Sequence, residues 1–114
     1  MAKIEGELYD KYSFDKYGSL FKRYRRMVKE IYNIDEADFT SSKRGNGTYT
    51  YRYARVIYMF MCHNKGATLY ATGLSINRTS DTVNYNVRCH KQLIKTDKYY
   101  KHMYNMALDW DKNN

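Results

Sequence analysis

After Ala54 the chain runs RVIYMFMC, with apolar residues at nearly every position to Cys62. A helix that is apolar on all sides has no face to turn to water, so other elements must surround it. The segment from Ala54 to about Asn64 therefore predicts the central helix of a small all-α bundle, closed by Gly66 as its C′ residue. The residues that follow narrow the prediction. Thr68 to Ile76 reads as a short helix, Asn77 and Arg78 as a turn, and Asp81 to Lys95 as a longer helix capped by Thr79 or Ser80. Val83, Val87, His90 and Ile94 form the inner stripe of that longer helix. Two helices joined so tightly have the layout of a helix-turn-helix, whose second member can lie in the DNA major groove.

The flanking segments supply the rest of the bundle. Leu20, Phe21, Tyr24, Met27, Val28, Ile31 and Tyr32 recur at amphipathic spacing and predict a helix from Leu20 to about Asn33, with Ser19 as N-cap. Lys22, Arg23, Arg25, Arg26 and Lys29 lie between them and are read as a solvated face in preference to a phosphate-facing ridge. Asp35 caps a single turn, EADF, and Asp97 caps a last helix carrying Tyr100, Met103, Tyr104, Ala107 and Leu108. Residues 40–55 read as a flexible loop around Gly45, Asn46 and Gly47. It leads into an extended segment in which Tyr49, Tyr51 and Tyr53 alternate. The organisation expected is an N-terminal extension over residues 1–19, one helix-turn-helix domain over 20–110 and a tail over 111–114.

The net charge of +8 favours a polyanionic partner, and it is unevenly placed. Residues 1–40 hold eight Lys/Arg and eight Asp/Glu, whereas residues 41–114 hold twelve and four, so the whole excess falls on the half with the helix-turn-helix. Cys62 and Cys89 are too few and too far apart for a secreted disulfide framework. With no apolar leader or membrane-length run in these residues, a cytoplasmic setting is expected. The Cys62-His63 and Cys89-His90 pairs do not make a metal site, because adjacent helical residues point ~100° apart. No paired-carboxylate or nucleophile–base spacing composes an active site, and neither enzyme activity nor a cofactor is expected.

The candidate contacts with double-stranded DNA fall in two groups. Lys43, Arg44, Arg52 and Arg55 interleave with tyrosines, a pattern that suits a phosphate-tracking arm or an Arg in the minor groove; a β-hairpin arm or plain surface loop is the alternative. Thr79, Ser80, Asp81 and Thr82 open the second helix, where backbone N–H groups and hydroxyls meet phosphate or base edges. Asp81 is either an acceptor for cytosine N4 or a favourable first-turn charge. Tyr85 and Asn86 lie one turn on, Asn being able to pair bidentately with adenine, and Arg88 and Lys91 are backbone clamps.

With helices in this order the chain resembles the C-terminal DNA-binding domain of the bacterial replication initiator DnaA, from about Tyr24 to Leu108. MVKEIYNIDEADFTSSKR is similar to that family's opening helix, turn and basic stretch, and ARVIYMFMCHN to its AR-x-x-A-M-Y-L helix. INRTSDTVNYNVR stands where the family carries GGRDHTTVLHACRK, and Arg78, Thr82, Val83 and Arg88 agree with it. The family's base-reading Asp-His-Thr trio corresponds here to Thr79, Ser80 and Asp81, and a later family histidine to Tyr85. The family's minor-groove Arg falls at Tyr53, with Arg52 and Arg55 as substitutes. The resemblance thus implies a Trp-repressor-like helix-turn-helix that holds DNA without recognising the family's usual box. These residues contain no GxxxxGK[ST] loop, so no ATP-driven step is implied. A role in replication or transcription control follows, and the small size suits a phage or mobile-element protein. The other reading is an interaction module that kept the bundle and lost its DNA site, since tyrosine-rich surfaces also serve protein interfaces.

Overall fold

The computed structural model describes residues 15–41 and 49–114. Within them lie α1 (Gly18–Tyr32), α2 (Glu36–Thr40), α3 (Tyr49–Asn64), α4 (Leu69–Ser75), α5 (Ser80–Thr96) and α6 (Lys98–Asn113). No strand occurs among the described residues. The all-helical architecture matches the expectation.

The all-round apolar segment does become the axis. Tyr53, Ala54, Val56, Ile57, Tyr58, Met59, Met61 and Cys62 of α3 are buried, and α3 packs against α1, α4, α5 and α6. Burial of each large apolar side chain is worth roughly 1.5–3 kcal/mol, so this helix supplies much of the driving force for folding. Three fully buried tyrosines, Tyr24, Tyr58 and Tyr100, reconcile bulk with polarity by keeping a partner for each hydroxyl. Tyr24 donates to Asp111 at 3.0 Å, Tyr58 pairs with the Ser75 hydroxyl at 2.7 Å, and Tyr100 pairs with His90 Nδ1 at 2.5 Å.

The helix ends explain how a chain without proline stops its helices. At the end of α3, Gly66 has φ +105°. Its N–H bonds His63 O at 2.9 Å while Ala67 N–H bonds Cys62 O at 3.2 Å, the paired bonds of a Schellman cap. The end of α4 repeats the device with Asn77 at φ 60°. There Asn77 N–H reaches Leu74 O at 3.4 Å and Arg78 N–H reaches Gly73 O at 2.8 Å. Thr68, Thr79 and Asp97 each accept a bond from the backbone three residues on, capping α4, α5 and α6.

Four local expectations are corrected. Tyr49, Tyr51 and Tyr53 are helical, because α3 begins at Tyr49 rather than Ala54; the Tyr49 and Tyr53 rings then meet at i, i+4, tilted, with centroids 5.8 Å apart, a pairing the alternating pattern concealed. Ser19 lies inside the first turn of α1, whose N-cap residue is Tyr17. Residues 111–113 are no tail, since α6 runs to Asn113 and Asp111 is bonded to Arg23 and Tyr24. On α6, Trp110 is buried and Leu108 exposed. Residues 1–14 of the expected extension lie outside the described residues.

Candidate nucleic-acid interface

The short helix α4 and the long helix α5 pack on each other through a turn with no room to spare. A Cβ placed on Gly73 would stand 2.4 Å from the Arg78 carbonyl oxygen. Only glycine admits that approach. Both helices rest on α3, with Ala71, Thr72, Gly73, Val83 and His90 facing inward.

Outward, α5 presents Asp81, Asn84, Tyr85, Arg88, Lys91 and Lys95. Tyr85 is 56% exposed. Asp81, Tyr85 and Arg88 follow one stripe by helical spacing, and Asn84, Arg88, Lys91 and Lys95 another beside it. Asn84 and Lys95 were not among the residues singled out from sequence, although their spacing from Arg88 and Lys91 carries the signal. At the N-terminus the hydroxyl of Thr79 accepts from Thr82 N–H at 3.2 Å and meets the Thr82 hydroxyl at 3.0 Å. Ser80 is half-exposed. Asn86 leans inward, its amide 3.2 Å from Met59 sulfur, which turns it away from the outer stripe.

The remaining candidates divide sharply. Lys43 and Arg44 lie outside the described residues. Arg52 is exposed. Arg55 and Arg78, by contrast, are half-buried and bind backbone. Arg55 donates to Phe39 O and Asp38 O, both at 3.1 Å. Arg78 donates to Ser41 O at 2.6 Å, Asn77 O at 3.1 Å, Ile76 O at 3.2 Å and Thr40 O at 3.4 Å. One arginine from α3 and one from the α4–α5 turn thus hold the carbonyls of residues 38–41, directly before the basic segment that contains Lys43 and Arg44. Burial lowers the guanidinium pKa of both, with Arg78's charge adding to the effect on Arg55. Tyr53 is also turned inward, and its phenol donates to Asp97. That bond, with burial, pushes Tyr53 up to about 12.

The Cys-His pairs separate as helical geometry requires. Cys62 is buried and its thiol pushed up by desolvation. His63 is exposed, with Nδ1 2.9 Å from Ala67 O. His90 stacks on Phe60 at 3.6 Å, and burial pushes it down to about 4. Among the described residues no three His, Cys, Asp or Glu side chains converge on a metal-sized site, and no helix is long and apolar enough to cross a membrane.

No family model matches the chain, and neither a curated protein nor a solved structure does.

Proposed function

We propose that this chain is a non-enzymatic double-stranded DNA-binding protein of DnaA C-terminal-domain type. In this reading α4 and α5 are its helix-turn-helix and α5 its recognition helix. The observation that carries this is the outer surface of α5. Arg88, Lys91 and Lys95 line it, while Asp81 is the helix's only carboxylate and sits at its first turn, where the helix dipole favours negative charge. In this reading Thr79, Ser80, Asp81 and Tyr85 contact base edges, and Arg88 and Lys91 hold phosphates. Arg55 and Arg78 support the reading head as braces that hold the carbonyls of residues 38–41. The cytoplasm and a role in replication or transcription control fit this activity.

The test is binding of the full chain to random and origin-like duplexes across a salt series. A steep fall of affinity with salt is expected, with the log–log slope reduced by about two in Arg88→Ala/Lys91→Ala. Absence of binding at low salt would sink the proposal.

One observation favours the second reading, an interaction module. Tyr70 and Leu74 lie one turn apart on the exposed side of α4, an apolar step of the kind that protein interfaces use. A duplex-negative result together with a concentration-dependent mass in solution would favour it.

A further inference from the structure

At the far end of α5 from its reading head, ~25 Å along the helix by its rise of about 1.5 Å per residue, the start of α3 meets the α5–α6 junction. Tyr49, Tyr53, Tyr99 and Asp97 line an open cleft of about 530 Å³ there. Tyr49 is 70% and Tyr99 47% exposed. Their rings flank the buried Tyr53 at centroid distances of 5.8 and 6.0 Å. The cleft is held in shape from both sides. The Tyr99 phenol is 2.6 Å from the Thr50 hydroxyl, and Tyr53 stands edge-on to Tyr100 at 5.2 Å.

Asp97 supplies the polar edge. One carboxylate oxygen accepts from Tyr100 N–H at 3.0 Å and the other from the Tyr53 phenol, and these bonds keep its pKa below the ordinary carboxylate value. An ionised carboxylate has about four acceptor positions, so beyond Tyr53, Tyr100 and a weaker backbone contact from Tyr99 N–H it keeps capacity for a further donor among the described residues. Arg52, one turn from Tyr49 on α3, and Lys98, next in sequence to Asp97, are both exposed. Tyrosine faces, a carboxylate with acceptor capacity to spare and neighbouring cations together describe a ligand with a flat π-system, N–H donors on one edge and a phosphate.

We propose that this cleft takes an unpaired base of single-stranded nucleic acid, with guanine preferred. The base stacks on the exposed rings of Tyr49 and Tyr99, its N1–H and N2–H groups donate to Asp97, and Arg52 and Lys98 neutralise the adjoining phosphates. Adenine, cytosine and thymine lack two adjacent donors on that edge. An organic ammonium would suit the tyrosines and carboxylate too, but the flanking cations oppose it. The site is separate from the outer stripes of α5 and stands independently of the duplex reading.

The experiment titrates the full chain with labelled single-stranded hexanucleotides of thymine carrying one central guanine, adenine or no purine. Tetramethylammonium and a duplex are titrated in parallel, followed by anisotropy and by tyrosine-ring NMR shifts. The guanine strand should bind about tenfold more tightly than the thymine strand. Tyr49→Ala and Tyr99→Ala should each weaken every single strand roughly tenfold and leave duplex affinity unchanged. Asp97→Asn, which keeps an N-cap residue at that position, should erase the guanine preference alone. Single-strand affinity unmoved by the tyrosine variants would overturn the proposal. Ring shifts with tetramethylammonium but none with the hexanucleotides would overturn it in favour of a cation cage. Duplex binding without single-strand binding refutes only this site, and single-strand binding without duplex binding refutes only the α5 reading.

Discussion

Helices α1 and α5 are both amphipathic and both basic, yet their cations do different work. On α1, Arg23 pairs with Asp111 at 2.9 Å, Arg25 with Glu36 at 3.0 Å and Arg26 with Glu30 at 3.8 Å. Arg23 and Arg26 also lie over the Trp110 ring at 4.9 and 5.3 Å, and Trp110 donates to Glu30 at 2.6 Å. No ion pair among the described residues involves Arg88, Lys91 or Lys95 of α5. The cations of α1 are thus partly consumed in closing α1 on α2 and α6, while Arg88, Lys91 and Lys95 of α5 stay exposed. Positive charge marks a polyanion site only where the fold has left it without counterions.

The largest expected effect falls on the α1 side. Trp110→Ala should cost about 4 kcal/mol in denaturant unfolding and leave the salt slope of duplex binding unchanged. A changed slope with intact folding would make α1 part of the interface.

The inner face of α5 gives the next. Unfolded histidine titrates near its ordinary value of about 6.5, whereas His90 in the fold is pushed down to about 4 by burial. The unfolded chain therefore takes up a proton that the folded chain refuses. Stability is full above pH ~6.5 and declines as pH falls towards ~4, by about 2–3 kcal/mol. Urea titrations from pH 7 to 4.5 measure this, and His90→Gln should flatten the slope; an equally steep loss in that variant assigns the acid limb to other groups.

The smallest effects compare the arginines directly. Arg23→Ala should cost about 1 kcal/mol through its part-buried bonds to Asp111 and its ring contact, without altering duplex affinity. Arg88→Ala/Lys91→Ala should move stability by less than about 0.5 kcal/mol while weakening duplex binding. Matching losses of stability in both would erase the distinction between the two helices.

Much of the fold was legible because it is written in local patterns. The all-round apolar run named its own central position, the i, i+3, i+4 stripes named α1 and α5, and Gly66, Thr79 and Asp97 marked where helices stop or start. The candidate site was harder to read. Tyr49, Tyr51 and Tyr53 alternate in sequence yet lie on a helix, since packing of Tyr53 on Tyr100 and its bond to Asp97 outweigh a weak extended pattern. Arg78 and Arg88 both belong to the basic second half of the chain, but one binds four backbone carbonyls and the other faces water. Nothing within a few residues of either distinguishes them.

Composition, periodicity and cap residues were enough to determine an all-α bundle around α3, its helix order and the half of the chain that carries the excess charge. Those properties depend on neighbours within a turn or two. Tertiary structure alone decided which cations are free, which tyrosines line a cleft and which arginines brace the backbone. Each depends on a partner many residues away, such as Asp111 for Arg23, Asp97 for Tyr53 and Ser41 for Arg78, and only folding brings those partners within hydrogen-bond reach.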